Sequence, residues 1–380
     1  MTKYSSFTSP NGKNEYFISI NSEKSSDFSK CLENIYESYV STLKKLDLTK
    51  DTQTFCRFYL SDIANQKKQL LNSKIFKLSK NSAHSIIQQC PLDGGNISIL
   101  SYHITGVGKK EKIEFGEEWK HGLKVKGENY NLYYTGNFFS ENGLDSFEQT
   151  QDIFRHYDSF LKKNKMNLLN NAVRTWIYIS DIDDNYGGMV KARKNYFEKR
   201  GLTKDTRYIA STGIEAKLKE NHILVSMDAI SISGLDPAQI VRMEAREFLN
   251  PTHEYGVTFE RGTKIEFGDR THLYISGTAS INNRGEVVHI GDVVAQTRRA
   301  LENIKALLKP HGASIKDMAY LIVYARNVTQ AEEIMKTIKD EGLNQIPLIF
   351  AEGAVCRPAW LVEIEGVAII PSKTNWPNFY

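Results

Sequence analysis

Three stretches of the chain repeat one order of apolar and polar positions. Each has a short apolar strand, then a longer segment in which apolar residues recur every three or four positions, then a second apolar strand. In the first stretch the recurring residues are Phe28, Leu32, Ile35, Tyr39 and Leu43. Residues at this spacing share one face of an α-helix, so each stretch predicts an amphipathic helix between two strands.

The strand that follows the helix is almost the same string in two of the stretches. It reads FYLSDI at residues 58–63 and IYISDI at residues 177–182, with a weaker copy, IVYARN, at residues 322–327. A second helical segment and a hairpin-like close follow each copy. Chance similarity between generic pieces is the alternative, but the two near-identical strings favour an internal repeat.

The repeat predicts an α+β protein of three similar units, each a mixed β-sheet with two helices on one face. The units are expected near residues 14–105, 128–233 and 270–372. Two connectors can add further strands, at residues 106–127 and 234–269. We accordingly divide the chain into domains 1–110, 111–245 and 246–380.

The composition is that of a globular protein that can bury a large core. The 380 residues are 41% apolar and 25% charged, and a net charge of +4 gives little reason to expect nucleic acid. No apolar run approaches the ~20 residues that cross a bilayer, and the N-terminus lacks the apolar core of a signal peptide. We therefore expect a cytoplasmic protein with neither a membrane nor a nucleic-acid partner.

Motifs for metals and cofactors are missing from the sequence. The four cysteines lie far apart, and the nine histidines show no metal-ligand spacing. There is also no glycine-rich phosphate loop and no Gly-x-Ser-x-Gly elbow. We expect no metal and no cofactor.

The third repeat resembles the RidA/YjgF family. Residues 273–327, LYISGTASINNRGEVVHIGDVVAQTRRALENIKALLKPHGASIKDMAYLIVYARN, match its order of strand, loop, helix and strand. The resemblance implies small α+β protomers that form trimers around a central barrel, with ligand sites in the clefts between neighbours. Three fused copies would then make a monomeric pseudo-trimer. The strand PLIFA, 347–351, lacks the arginine that imine-deaminating members carry there.

A second resemblance is to the chorismatases, which use a RidA-like fold and cleave chorismate to pyruvate and a ring product. The segment VCRPAWLVEIEG, 355–366, is similar to their closing motif, with a glutamate seven residues after the cysteine. Shorter similarities occur at AVRTWIYISDID (172–183), TRYIASTGIEA (206–216) and NPTHEYGVTFERG (250–262). The resemblance implies that Glu363 is the proton donor of the reaction.

Cleavage of an enol ether begins with protonation of its methylene carbon, which requires a carboxylic acid kept protonated near neutral pH. Glu363 and Glu365 share one face of a predicted strand, so the charge of one would favour the proton on the other if both are desolvated. The alternative is the solvated face of an ordinary amphipathic strand. The equivalent positions of the first two repeats carry no glutamate, which predicts one active site per chain.

Two further residues bear on the ring product. The chorismatase resemblance implies that Cys356 steers the intermediate towards 3-hydroxybenzoate, while the alternative is a small buried thiol. Gly277 is consistent with the same branch because a small residue leaves room for the ring, although it also reads as a turn glycine.

The two carboxylates of chorismate require cations, and guanidinium groups pair well with carboxylate. Arg326 ends a predicted strand, Arg261 lies in the second connector and Arg357 follows Cys356. The alternative for each of these arginines is an ordinary charged residue on the protein surface. Tyr255 matches a tyrosine of the family connector and can hydrogen-bond the substrate, or serve as a core tyrosine.

The sequence thus predicts a chorismatase-like enzyme that releases pyruvate and 3-hydroxybenzoate from the small carboxylate chorismate. Glu363 and Cys356 are its expected catalytic residues. The expected substrate-binding residues are Arg326, Tyr255, Arg261, Gly277, Arg357 and Glu365. The alternatives are a RidA-like deaminase of enamines and imines, and a non-catalytic protein of the same fold that binds a small acid.

Overall fold

The computed structural model describes residues 1–115 and 119–380, so residues 116–118 of the first predicted connector lie outside the described residues. Within these two ranges the strands form three sheets, of five, six and six strands. None of the helices described is long and apolar enough to cross a membrane.

The first unit is a five-stranded sheet in the order β1-β2-β5-β3-β4. Its elements are β1 (Thr2–Phe7), β2 (Glu15–Asn21), α1 (Phe28–Lys45), β3 (Gln53–Leu60), α2 (Ile63–Asn72), α3 (Lys74–Ser79), β4 (Ala83–Gln88) and β5 (Ile97–Ile104). The apolar stripe predicted for residues 28–43 is the buried face of α1.

The second unit is a six-stranded sheet in the order β6-β7-β8-β11-β9-β10. Its elements are β6 (Lys110–Phe115), β7 (Trp119–Lys126), β8 (Asn131–Phe139), α4 (Ser146–Lys163), α5 (Leu168–Asn171), β9 (Ala172–Ile179), α6 (Ile182–Glu198), β10 (Ala210–Glu215) and β11 (Val225–Ser233). The first connector therefore supplies two strands, β6 and β7.

The third unit is a six-stranded sheet in the order β12-β13-β14-β17-β15-β16. Its elements are β12 (Ile240–Arg242), β13 (Gly262–Glu266), β14 (Arg270–Ala279), α7 (Val293–Leu308), β15 (Met318–Ala325), α8 (Ala331–Asp340), β16 (Leu348–Glu352) and β17 (Val362–Pro371). Strands β12 and β13 come from the second connector.

One four-stranded pattern recurs in all three sheets: β2-β5-β3-β4, β8-β11-β9-β10 and β14-β17-β15-β16. In each, the first two pairings are antiparallel and the last is parallel. A parallel pair requires a crossover, which the second helical segment of each unit supplies. The predicted fold class of three tandem RidA-like α+β units is confirmed.

The long helix of each unit begins at an aspartate. Asp27, Asp145 and Asp292 accept hydrogen bonds from backbone N–H groups of the first turn of α1, α4 and α7, at 2.9, 2.8 and 2.9 Å. Such N-caps satisfy donors that the helix itself leaves unpaired. The repeat therefore extends to the residue that starts each helix.

The three units pack in a cycle. The edge strand of each unit contacts the first core strand of the next: β4 contacts β8, β10 contacts β14, and β16 contacts β2. Apolar residues of all three sheets, such as Tyr102, Trp176 and Tyr274, share one central core. The sheets remain separate and are joined by isolated bridges, including Ala210 to Glu260 and Pro91 to Ala351.

Candidate active site between the second and third units

A cavity of about 250 Å³ lies where the second unit meets the third. The second unit contributes residues of α6 and β10, and the third contributes β14, β17, the loop before β17 and the connector before β13. The lining residues are Tyr186, Arg193, Ser211, Thr212, Gly213, Tyr255, Val257, Phe259, Arg261, Gly277, Ala279, Ile281, Cys356, Arg357, Trp360 and Glu363.

Glu363 lies near the start of β17 and is only 5% exposed, although it lines the cavity. Burial and the negative charge of Glu365 together raise the pKa of this carboxyl to about 8, while the positive charges of Arg174 and Arg261 act to lower it. The carboxyl is therefore protonated at neutral pH. The alternative of a solvated strand face is wrong, because both glutamates are buried.

Glu365 does not reach the cavity. It is 1% exposed, and its Oε1 accepts hydrogen bonds from Tyr324 Oη at 2.6 Å and Trp176 Nε1 at 2.9 Å. Its Oε2 accepts from Arg174 and Thr212. Both carboxylate oxygens of Glu365 thus accept hydrogen bonds from the protein itself. Glu365 was predicted to bind substrate, but the structure does not place it in the cavity.

Gly277 on β14 lies directly beside the carboxyl of Glu363. A Cβ atom at this position would lie 2.0 Å from Glu363 Oε1 and 3.0 Å from Thr212 Cγ2. The backbone N–H of Gly277 also donates to Thr212 Oγ1 at 2.9 Å. The space that the missing side chain leaves is occupied by Glu363, so this glycine makes room for the acid itself.

Cys356 also lines the cavity and is half-buried. Burial and the neighbouring Glu363 together raise the pKa of its thiol to about 12, so the thiol is neutral at physiological pH. The cavity therefore holds an uncharged thiol close to a protonated carboxyl.

Two of the predicted arginines border the cavity together with Tyr255. The guanidinium carbon of Arg261 lies 5.2 Å from the centre of the Tyr255 ring, and its Nη2 and Nε donate to the carbonyl of Asn250 at 3.1 and 3.2 Å. Arg357 lies over both Tyr255 and Trp360, at 5.0 and 4.9 Å. Aromatic contacts of this kind hold the two cations in place.

Arg326 lies elsewhere. It borders a separate cleft where the edge strands β4, β10 and β16 of the three units end. Its Nη1 donates to the carbonyl of Val355 at 2.6 Å, and its Nη2 pairs with Asp183. The end of β15 faces these three strand ends rather than the cavity between β10 and β14, so the structure does not bring Arg326 to Glu363.

Two polar residues of α6 were missed by the sequence prediction. Arg193 is 2% exposed, lines the cavity and donates from Nε to Thr258 Oγ1 at 3.3 Å, while its Nη2 has no hydrogen-bond partner. Burial lowers its pKa. Tyr186 borders the same space. The sequence offered one indication of this site: Arg193 lies between Met189 and Phe197 on one apolar face of the helix.

The equivalent positions in the other units differ. The register places Tyr324 opposite Glu363, Tyr178 opposite Ser226 and Tyr59 opposite Ser98. Both of these serines thus occupy the place of the acid.

The junction between the first and second units, which corresponds to the junction that holds the cavity, is filled by protein atoms. Gly136 of β8 lies so near β4 that an added Cβ would come within 2.1 Å of the carbonyl oxygen of His84. The side chain of Asn137 fills the remaining space by hydrogen bonding to the backbone of Ile86.

Comparison with known proteins places the third unit in a described family. The family model named endoribonuclease L-PSP matches residues 265–370. The 3-aminoacrylate deaminase RutC of Acinetobacter baylyi is 31% identical over 97 residues, which are 25% of this chain and 77% of that protein.

Two relatives match more of the chain. The 3-hydroxybenzoate synthase of Streptomyces hygroscopicus is 27% identical over 222 residues, which are 53% of this chain and 64% of that protein. A crystal structure of a chorismatase has a TM-score of 0.64 at 18% identity, over 84% of this chain and 93% of that one. The structural likeness shows a common fold.

Proposed function

This chain belongs to the RidA/YjgF-like superfamily, and within it to the chorismatase family, and we propose that it cleaves the enol ether of chorismate to pyruvate and 3-hydroxybenzoate. One observation carries the proposal: Glu363 is a buried carboxyl with a pKa of about 8 that faces a cavity between two units. An acid that keeps its proton at neutral pH is what protonation of an enol-ether carbon requires.

The walls of the cavity suit a dianionic substrate. Arg193, Arg261 and Arg357 border it, and the Nη2 of Arg193 is an unpartnered donor. Guanidinium groups pair with carboxylates through parallel hydrogen bonds. In the proposed complex these arginines hold the substrate carboxylates, and Tyr255 is a hydrogen-bonding neighbour at the same wall.

In the proposed reaction Glu363 transfers its proton to the methylene carbon of the enol ether. The bond between the ether oxygen and the ring carbon breaks, its electron pair stays on the oxygen as the carbonyl of pyruvate, and the ring is left with a positive charge. Transfer of the neighbouring ring hydroxyl oxygen to that carbon and loss of one ring proton give the aromatic 3-hydroxybenzoate, and this proton balances the one that Glu363 supplied. Cys356, a neutral thiol beside Glu363, is proposed to steer the ring towards the aromatic product 3-hydroxybenzoate. The glutamate is left as a carboxylate and must regain a proton before the next turnover.

The test is incubation with chorismate, with pyruvate measured by a coupled dehydrogenase and the ring product by chromatography. Glu363→Gln should lower turnover by about 10²–10⁴-fold, the usual contribution of a general acid. The matched control Glu352→Gln, at an exposed position on β16, should remain fully active. Wild-type activity should fall as the pH rises through about 8, where Glu363 loses its proton. Undiminished pyruvate formation by Glu363→Gln would contradict the proposal.

A RidA-like deaminase is the second candidate, favoured by the 31% sequence identity over 97 residues to a 3-aminoacrylate deaminase. Neither β16 nor β10, the edge strand at the cavity, contains an arginine. Trapping of 2-aminoacrylate with semicarbazide, with and without the protein, tests this activity. Binding of 3-hydroxybenzoate without turnover of either substrate would instead indicate a non-catalytic acid-binding protein.

A further inference from the structure

Glu365 is held almost entirely by the neighbouring unit. Three of its four donors, Arg174, Trp176 and Thr212, belong to β9 and β10 of the second unit, and the fourth, Tyr324, belongs to the third. Arg174 Nη2 also donates to Thr212 Oγ1 at 2.5 Å. A carboxylate that accepts from a guanidinium and three neutral donors is held in one position.

The same arrangement occurs once more, between the first and second units. Asp228 is opposite Trp176 in the register, as Glu365 is opposite Ile322. Its Oδ2 accepts from Arg57 at 2.8 and 3.0 Å and from Tyr178 Oη at 3.0 Å, and both Arg57 and Asp228 are 1% exposed.

The two clamped carboxylates differ in one respect. Two residues before Glu365 on the strand stands Glu363, whereas two residues before Asp228 stands Ser226. Only the clamp between the second and third units therefore holds a fixed negative charge on the same strand face as the proposed acid.

We infer that Glu365 is a positioning residue for the reaction: the second unit fixes its negative charge behind Glu363, and this charge retains the proton that Glu363 delivers. The inference rests on the proposed function for the use of that proton. The second unit thus contributes to the proposed chemistry by holding Glu365, a residue of the third unit that does not line the cavity.

Other charged and titratable groups act on the same carboxyl. Arg174 and Arg261 oppose the effect of Glu365 on the pKa of Glu363. Cys356 and Tyr255 are neutral at physiological pH, since burial raises the pKa of each. Glu365 is therefore the charge that favours the protonated acid, against two arginines.

The test compares Glu365→Gln with the matched control Asp228→Asn. Each substitution neutralises one buried carboxylate that is paired with an arginine, so both should lower the free energy of unfolding, measured in urea. Glu365→Gln should move the alkaline limb of the pH profile of kcat/KM down by about one pH unit or more. Asp228→Asn should leave that limb in place.

Two further measurements keep the result decisive. The double variant Arg174→Met with Glu365→Gln removes both charges and should still move the limb to lower pH, in case the single variant does not fold. Infrared titration of the Glu363 carboxyl, with Glu363→Gln as the reference, reports the proton directly and needs no turnover. If the wild type fails to cleave chorismate, this titration alone decides the inference. An unmoved titration in Glu365→Gln, or equal shifts in both variants, would overturn it.

Discussion

Glu363 owes its place to the absence of a side chain on the neighbouring strand. Thr278 and Ala279 of β14 pair with Ile364 and Glu363 of β17, and Gly277 marks the bulge just before this pairing. The bulge brings the α-carbon of Gly277 against the carboxyl of Glu363, where no Cβ can be accommodated. The position of the Glu363 carboxyl therefore depends on a glycine at position 277.

Gly277→Ala should displace the carboxyl of Glu363, since its Cβ would lie 2.0 Å from Oε1. A displacement of about 1 Å at a reacting group can lower turnover by about 10²-fold, and we expect a loss of that order in pyruvate release from chorismate. Gly187→Ala is the control, because a Cβ there meets nothing within 4 Å. Full activity of Gly277→Ala would show that the acid does not depend on this contact.

At the level of elements, one asparagine seals the junction between β4 and β8. Asn137 has a φ of +47°, and its amide accepts from the backbone N of Ile86 at 2.6 Å and donates to the backbone O of the same residue at 3.2 Å. The Asn137 side chain thus makes the two hydrogen bonds to Ile86 that the backbone of a neighbouring strand would otherwise make. This contact closes the junction that corresponds to the one holding the cavity.

Asn137→Ala should lower the free energy of unfolding by about 1–3 kcal/mol, because the buried N–H and C=O of Ile86 lose their partners. Urea denaturation followed by circular dichroism measures this loss. Asn131→Ala on the same strand removes one hydrogen bond to Ser233, at a partly exposed position, and should cost less. Equal losses in the two variants would argue against the sealing role of Asn137.

At the level of the whole molecule, the chain completes a cycle by itself. Each of the edge strands β4, β10 and β16 contacts the first core strand of another unit of the same chain. We therefore expect these three edges to be unavailable to a second copy.

Light scattering coupled to size exclusion should therefore report the mass of one chain, 43.3 kDa. The physical reason is that β4, β10 and β16 are already covered by β8, β14 and β2. A stable species of two or three chains at micromolar concentration would contradict this expectation.

Much of the architecture was readable from the chain order alone. The helical stripe at residues 28–43 and the repeated strings at 58–63 and 177–182 identified three units, because periodicity and repetition are local properties. The spacing of Cys356 and Glu363 was likewise visible, since both lie on one short segment. The register of the three sheets places Ser226 and Ser98 at the position of Glu363, which agrees with the absence of a glutamate from the equivalent stretches of the first two repeats.

The rest depended on how the units pack. Arg193 borders the cavity and Arg174 pairs with Glu365. Both arginines come from a different unit than Glu363, and the sequence does not state which cleft a side chain will reach. Arg326 was placed at the end of a strand correctly, but that end faces the three edge strands. The sequence by itself determined the three units and pointed to Glu363 as the proposed acid. Only the tertiary structure decided which arginines lie near Glu363 and that Glu365 is held behind it, because those contacts join residues far apart in the chain.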